Sequence, residues 1–128
     1  MIEKEISILI VEDDKPTTEF LRSLVEDEFE GVKIESVDNG KDAFLLLKKH
    51  SFSLTLLDLV LSKKDGQELL LDLDQNKIIA PVIIITALNL LPDEINALLS
   101  SQSVAGIVYK PFDIDEFLQL AKKSLRQS

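Results

Sequence analysis

The sequence places acids where acids are costly. Glu12-Asp13-Asp14 follows at once on the apolar run Ile6–Val11, and Asp58 closes the run Leu54–Leu57 ahead of Leu59-Val60-Leu61 and a Lys-Lys-Asp-Gly turn. Three adjoining carboxylates repel one another unless a cation, a basic side chain or water offsets their charge. Two further polar groups stand in similar places: Thr86 after Pro81–Ile85, and Lys110 after Ala105–Tyr109. Taken singly, each has a plain explanation. Asp58 caps a loop, the first acids cap a helix, Thr86 packs as a β-prone residue, and Lys110 is a solvated surface lysine.

The elements that must position these groups alternate. Short apolar runs closed by turn residues read as strands buried on both faces, as in parallel sheets covered by helices. Between them lie stretches with helical spacing. Pro16–Phe29 carries Phe20, Leu21, Leu24 and Val25, with Gly31 as its stop. Val32, Ile34 and Val37 mark a short second strand, followed by an Asp38-Asn39-Gly40 turn. Lys41–His50 turns Ala43, Phe44 and Leu47 inward. Leu69, Leu70 and Leu73 supply a third helix, and Pro92 opens a fourth with Ile95, Leu98 and Leu99. Asp113 caps the last, with Glu116 three residues on and a stripe of Ile114, Phe117, Leu118, Ala121 and Leu125. Five β–α units in alternation predict one parallel sheet between two helical layers, joined by right-handed crossovers.

Composition narrows the function classes. A length of 128 residues, 45% of them hydrophobic, predicts one domain over residues 1–128 with a full core. There is no cysteine, hence no disulfide and no thiolate metal site. No apolar run approaches the roughly 20 residues of a membrane span, and Met1–Glu5 lacks the basic start of a signal peptide. The expected setting is the cytoplasm. A net charge of −9 argues against direct nucleic-acid binding and suits a module that binds metal ions or basic protein surfaces. His50, the single histidine, has no ligand-type neighbours and reads as a cation near a helix C-terminus.

In a parallel sheet all carboxyl ends share one edge. If strands one, three, four and five are neighbours, Glu12, Asp13, Asp58, Thr86 and Lys110 converge on one cleft. Hard oxygen ligands suit magnesium, which takes one or two carboxylates, waters and phosphate oxygens. Lysine offers a point charge to a phosphoryl oxygen, and a carboxylate beside a metal can form an aspartyl phosphate. Five such groups at strand ends by accident is improbable.

Over essentially its whole length the chain resembles the receiver domain of bacterial two-component response regulators. The resemblance is carried by ILIVEDD at 8–14, LLDLVLSKKDG at 56–66, ITA at 85–87 and YKPFD at 109–113. It implies a flavodoxin-like (βα)5 sandwich with strand order 2-1-3-4-5. It implies Asp58 as phosphoacceptor, Asp13 as a direct magnesium ligand, and Glu12 as the second acid, usually acting through water. Asp14 falls just beyond the pair. Val60 contributes its backbone carbonyl to the metal, Thr86 a hydroxyl to the phosphoryl group, and Lys110 the ion-pair partner. The Lys110–Pro111 bond is commonly cis in the family. A histidine kinase or histidine phosphotransfer domain is the implied donor, and an output protein or domain, unspecified by the sequence, the implied receiver of the signal near helix four, strand five and helix five. The expected role is a signalling phosphoacceptor rather than a turnover enzyme.

The chain departs from the family pattern at three places. Ser62 stands where many relatives have proline. Ile107 stands where an aromatic switch residue is usual, with Tyr109 two residues on and facing the same side. The Ala87–Ser103 segment is slightly long. The alternative function is a pseudo-receiver, a binding module that works without phosphorylation. A phosphatase of the haloacid dehalogenase type needs a second Asp two residues after the nucleophile, where Val60 stands, and nothing suggests a flavin site.

Overall fold

The computed structural model describes residues 5–61 and 65–126. Ser62, Lys63 and Lys64, on which the missing-proline and Lys-Lys turn readings fall, lie outside the described residues, as does most of Met1–Glu5. The elements are β1 (Ser7–Val11), α1 (Lys15–Glu28), β2 (Lys33–Val37), α2 (Gly40–Lys49), β3 (Leu54–Leu57), α3 (Gly66–Gln75), β4 (Val82–Thr86), α4 (Pro92–Leu99), β5 (Val104–Tyr109) and α5 (Ile114–Arg126). All pairings are parallel and the order is β2-β1-β3-β4-β5, the flavodoxin-like arrangement.

The continuous apolar strands have a two-faced purpose. Leu9, Val11, Leu57, Val82 and Ile84 pack under α2, α3 and α4. Ile8, Ile10, Leu54, Leu56, Ile83, Ile85 and Val108 pack under α1 and α5. The central strands β1, β3 and β4 are buried almost throughout, whereas β2 at one edge is mostly half-buried or exposed. Removing one of these side chains should cost about 2–5 kcal/mol, so the sheet is a stiff base for whatever its edge carries.

Helix starts are fixed by short polar side chains. Asp14, Asn39 and Asp65 each accept a hydrogen bond from the backbone N–H three residues on. Asn39 therefore caps α2 rather than merely turning the chain, and α2 begins one residue earlier than its apolar stripe suggests. Asp113 accepts from the Glu116 N–H and caps α5 as expected. His50 is an exposed C-cap whose N–H donates to the Leu46 carbonyl, in keeping with its plain reading.

Some residues on helical stripes do not face the core. Phe20 and Ile114 are exposed, as is Leu99 at the end of α4. Phe20 instead rests against Phe112, which meets Phe117 at 5.4 Å between ring centroids. In β5 the register shifts so that Val82 pairs with Val104 but Ile83 with Gly106. Gly106 has no side chain because Leu120 of α5 occupies that space: a Cβ there would lie 2.7 Å from a Leu120 methyl.

Candidate functional site: an acidic edge bridged by Lys110

β1 and β3 are hydrogen-bonded neighbours, and the residues just past their ends bring two acids side by side. Asp58 N–H donates to the Val11 carbonyl, and Glu12 N–H to the Val37 carbonyl of β2. The backbone ladder thus runs on into the site and fixes both Cα positions. Both side chains are almost fully buried, Glu12 at 5% exposure and Asp58 at 8%. Two buried carboxylates need a counter-charge. Lys110 provides it, with Nζ 2.7 Å from Glu12 Oε1 and 3.0 Å from Asp58 Oδ2. Its own backbone N–H is tied to the Thr86 carbonyl at the end of β4. The Lys110–Pro111 peptide is cis, as expected.

The remaining oxygens are partly committed. Asp58 Oδ1 accepts from the Val60 N–H at 3.1 Å, and Glu12 Oε2 from the Asp14 N–H at 3.2 Å. Burial raises the Glu12 carboxyl above its ordinary range, the neighbouring Asp58 adds to this, and Lys110 opposes it. Burial by itself would lower Lys110, but its hydrogen bonds to Glu12 and Asp58 outweigh it and raise the ammonium. Asp14 points elsewhere. Its carboxylate is lowered by hydrogen bonds from the Thr17 hydroxyl and N–H, which matches its reading as a cap beyond the acid pair.

Asp13 is exposed and completes the cluster: one carboxylate oxygen from each of Glu12, Asp13 and Asp58 lies within 4.8 Å of the others. Two ligands of a magnesium ion at about 2.1 Å stand at most about 4.2 Å apart, a spacing close to that of this cluster. The donor set is all hard oxygen. The residues present therefore fit such an ion. Beside them opens a cleft of about 530 Å³ whose wall carries Glu12, Asp13, Glu19, Asp38 and Asp42 against one base, Lys15. That field favours cations.

The β4 side is arranged differently. Thr86 is fully buried, and its Oγ1 accepts from the Leu88 N–H at 3.1 Å. Leu57 pairs with Ile84, and Thr86 with Tyr109. Thr86 and Tyr109 are thus neighbours on one face of the sheet, Tyr109 being 42% exposed. Ile107 sits one pleat further back, beside Ile84, half-buried against the core under α2, α3 and α4. The structure brings Glu12, Asp13, Asp58 and Lys110 together, and sets Thr86 at the adjoining strand end with its hydroxyl engaged by its own loop.

Two contributors escape sequence reasoning. Val60 is expected only through its carbonyl, yet its N–H holds Asp58; its side chain is exposed. Gly66 reads in the sequence as a turn residue. A Cβ there would stand 2.7 Å from Leu59 Cα and 2.8 Å from the Asp58 carbonyl oxygen. The Asp-Gly pair signals a turn, but nothing local shows what the turn is pressed against.

Fold and edge define a doubly wound α/β domain that gathers acids and Lys110 at the carboxyl ends of its strands, where such sheets bind ligands. The response regulator receiver domain model matches residues 8–122, and the chain belongs to that family. It is 34% identical over 121 residues to an uncharacterized transcriptional regulatory protein of Bacillus subtilis, YkoG, covering 94% of this chain and 51% of that protein. It is also 34% identical over 120 residues to the response regulator ArlR of Staphylococcus saprophyticus, covering 94% and 52%. The chain thus spans about half the length of these curated relatives. Among solved structures, the Francisella response regulator 1452 receiver domain matches with a TM-score of 0.81 and 26% identity, over 97% of this chain and all of that one. A receiver domain from an HD domain-containing protein of Pseudomonas fluorescens shares the fold at a TM-score of 0.84 and 20% identity, over 97% of both chains. Among the described residues no helix is long and apolar enough to cross a membrane.

Proposed function

We propose that this receiver domain is a phosphorylation switch with Asp58 as its phosphoacceptor. The observation that carries the reading is the Lys110 ammonium bridging Glu12 and Asp58 beside Asp13. Asp58 attacks the phosphorus of a phosphohistidine on a histidine kinase or phosphotransfer domain. The Oδ–P bond forms as the N–P bond breaks, and the imidazole leaves with the N–P electron pair. The Val60 N–H orients the carboxylate, and Lys110 neutralises charge on the transferring group. Magnesium, held by Glu12, Asp13, Asp58 and the Val60 carbonyl, would supply further positive charge against the phosphoryl oxygens. Water later cleaves the acyl phosphate and restores Asp58. The domain is a signalling phosphoacceptor rather than a turnover enzyme, and its setting is the cytoplasm.

Output follows from the neighbouring strand ends. A phosphoryl oxygen on Asp58 accepts from the Thr86 hydroxyl, and a turn of that side chain to donate there takes its oxygen from the Leu88 N–H, which biases the loop before α4 and the surface of α4, β5 and α5. The relatives are named as transcriptional regulators, so an output domain or protein reads this surface. The acidic residues 1–128 do not themselves hold nucleic acid.

The test is intact mass after incubation with acetyl phosphate and magnesium, for wild type and Asp58→Asn. A single phosphoryl gain in wild type alone is expected. Ile107, in place of the family's aromatic, favours a second reading, a binding module indifferent to phosphorylation. No mass gain, together with no beryllofluoride binding, would establish that reading and overturn the first.

A further inference from the structure

On the side of α4 turned away from β5, a cleft of about 410 Å³ runs between α3 and α4. Its walls are two matched stripes. Gln67, Leu70, Leu71 and Asp74 come from α3, and Glu94, Ala97, Leu98 and Ser101 from α4 and the turn after it. Both stripes follow i, i+3, i+4, i+7 spacing, the spacing of helix faces that meet other helices. Leu70 and Leu98 form a nearly buried floor, at 4% and 7% exposure, while Leu71 is 57% exposed at the rim. The Ser101 hydroxyl donates to Asp74 at 3.1 Å and closes the far end. Each stripe offers two turns, about 10 Å, to a partner.

The two helices that wall this cleft carry charge of one sign, and Lys77 follows α3 beside Asp74. Within α3 lie Glu68, Asp72 and Asp74, and within α4 Asp93 and Glu94; neither helix contains a lysine or arginine. The other three helices mix their signs: α1, α2 and α5 all carry basic residues. We infer that the α3/α4 cleft is a docking groove for a basic amphipathic helix of a partner protein, its apolar face on Leu70, Leu71, Ala97 and Leu98 and its lysines or arginines over the flanking acids. A helix laid into an apolar groove is a recurring recognition mode. A second copy of this chain fits poorly, because its net charge is also −9. The groove is formed in the unphosphorylated protein, so the inference stands apart from the chemistry at Asp58.

The probe is a fluorescein-labelled peptide of about 14 residues, with leucines on one helical face and lysines on the other. Its anisotropy is titrated with wild type, Leu71→Gln, Asp74→Lys and Glu26→Lys. Glu26, exposed on α1, gives the same charge change as Asp74→Lys but far from the groove. We expect saturable binding to wild type, weakened about tenfold or more by Leu71→Gln and by Asp74→Lys, and little by Glu26→Lys. Equal weakening by Asp74→Lys and Glu26→Lys means attraction to net charge alone and overturns the inference, as does absence of binding. Circular dichroism confirms that each variant folds. If sedimentation shows a dimer that Leu71→Gln dissolves, the occupant is a second copy and the partner proposed here is wrong.

Discussion

The loops that leave β3 and β4 start from the same edge of the same sheet, yet they are held in opposite ways. The β3 loop is pinned at both ends. Asp58 is fixed by the Val11 carbonyl, the Val60 N–H and Lys110, and Gly66 presses against Leu59 and the Asp58 carbonyl, its N–H donating to the Leu59 carbonyl. The β4 loop is held by two short-range side-chain hydrogen bonds, Leu88 N–H to Thr86 Oγ1 and Leu91 N–H to Glu94 Oε1, and exposes Leu88 and Leu91. On the proposed function the difference separates two tasks. A nucleophile must be held where charge can be offset without rearrangement, while a segment that reports a change needs a second arrangement within reach.

The pinned loop is broken most severely at Gly66. An alanine Cβ there meets backbone rather than the end of a flexible side chain, so neighbouring backbone must move. We expect Gly66→Ala to cost about 2–3 kcal/mol in urea denaturation and to slow phosphorylation by acetyl phosphate. An alanine accepted at no cost would show that the loop is not pinned and remove the contrast with the β4 side.

Lys110→Met tests the charge balance. Breaking a buried ion pair typically costs about 3–5 kcal/mol, and the Lys110 side chain keeps 21% exposure, so about 2 kcal/mol at pH 7 is expected. The sign with pH follows from Glu12. Its folded-state carboxyl is raised above the ordinary 4.5, so its favourable contribution is complete below 4.5 and is lost as pH rises through the folded value. Without the ammonium that value rises further. The deficit of Lys110→Met should therefore be small near pH 4 and grow towards neutrality. Magnesium should raise the wild-type melting temperature by binding only the folded site: at ten times its Kd, by about 1.4 kcal/mol, or about 5 °C. An unchanged melting temperature in millimolar magnesium would argue against a metal at Glu12, Asp13 and Asp58.

The same contrast explains what could be read from the sequence. The pinned side depends on residue types that carry their chemistry openly: acids and a lysine at the ends of apolar runs locate Glu12, Asp13, Asp58 and Lys110 without coordinates. The five parallel strands and five helices follow from periodicity for the same reason. What stays hidden comes from backbone and packing. The Val60 N–H has no signature in its side chain, and the close approach at Gly66 depends on where the chain returns. Helical spacing marks Phe20, Leu99 and Ile114 as core, but Leu99 ends the eight-residue α4, Ile114 opens α5, and Phe20 turns to Phe112, so all three stay exposed. Asn39 reads as a turn residue and acts as a cap, because both uses draw on the same short side chain.

The loosely held loop is tested at its hydrogen bond to Thr86. Thr86→Val keeps the volume and removes the acceptor, leaving the Leu88 N–H to water; Leu88 is 40% exposed, so hydration limits the loss to about 1 kcal/mol. The informative readout is hydrogen exchange at the Leu88 amide. The variant should speed that exchange while leaving amides of β1 and β3 unchanged, since the loop opens locally rather than with the sheet. Beryllofluoride, standing in for the phosphoryl group on Asp58, should speed it in wild type if the Thr86 hydroxyl turns towards the acyl phosphate. In Thr86→Val there is no hydroxyl to withdraw, so beryllofluoride should add nothing. If beryllofluoride leaves Leu88 exchange unchanged in wild type while still binding, Thr86 keeps its hold on the loop. The signal must then leave the site by another route, through Lys110 and the β5 end where Tyr109 lies beside Thr86.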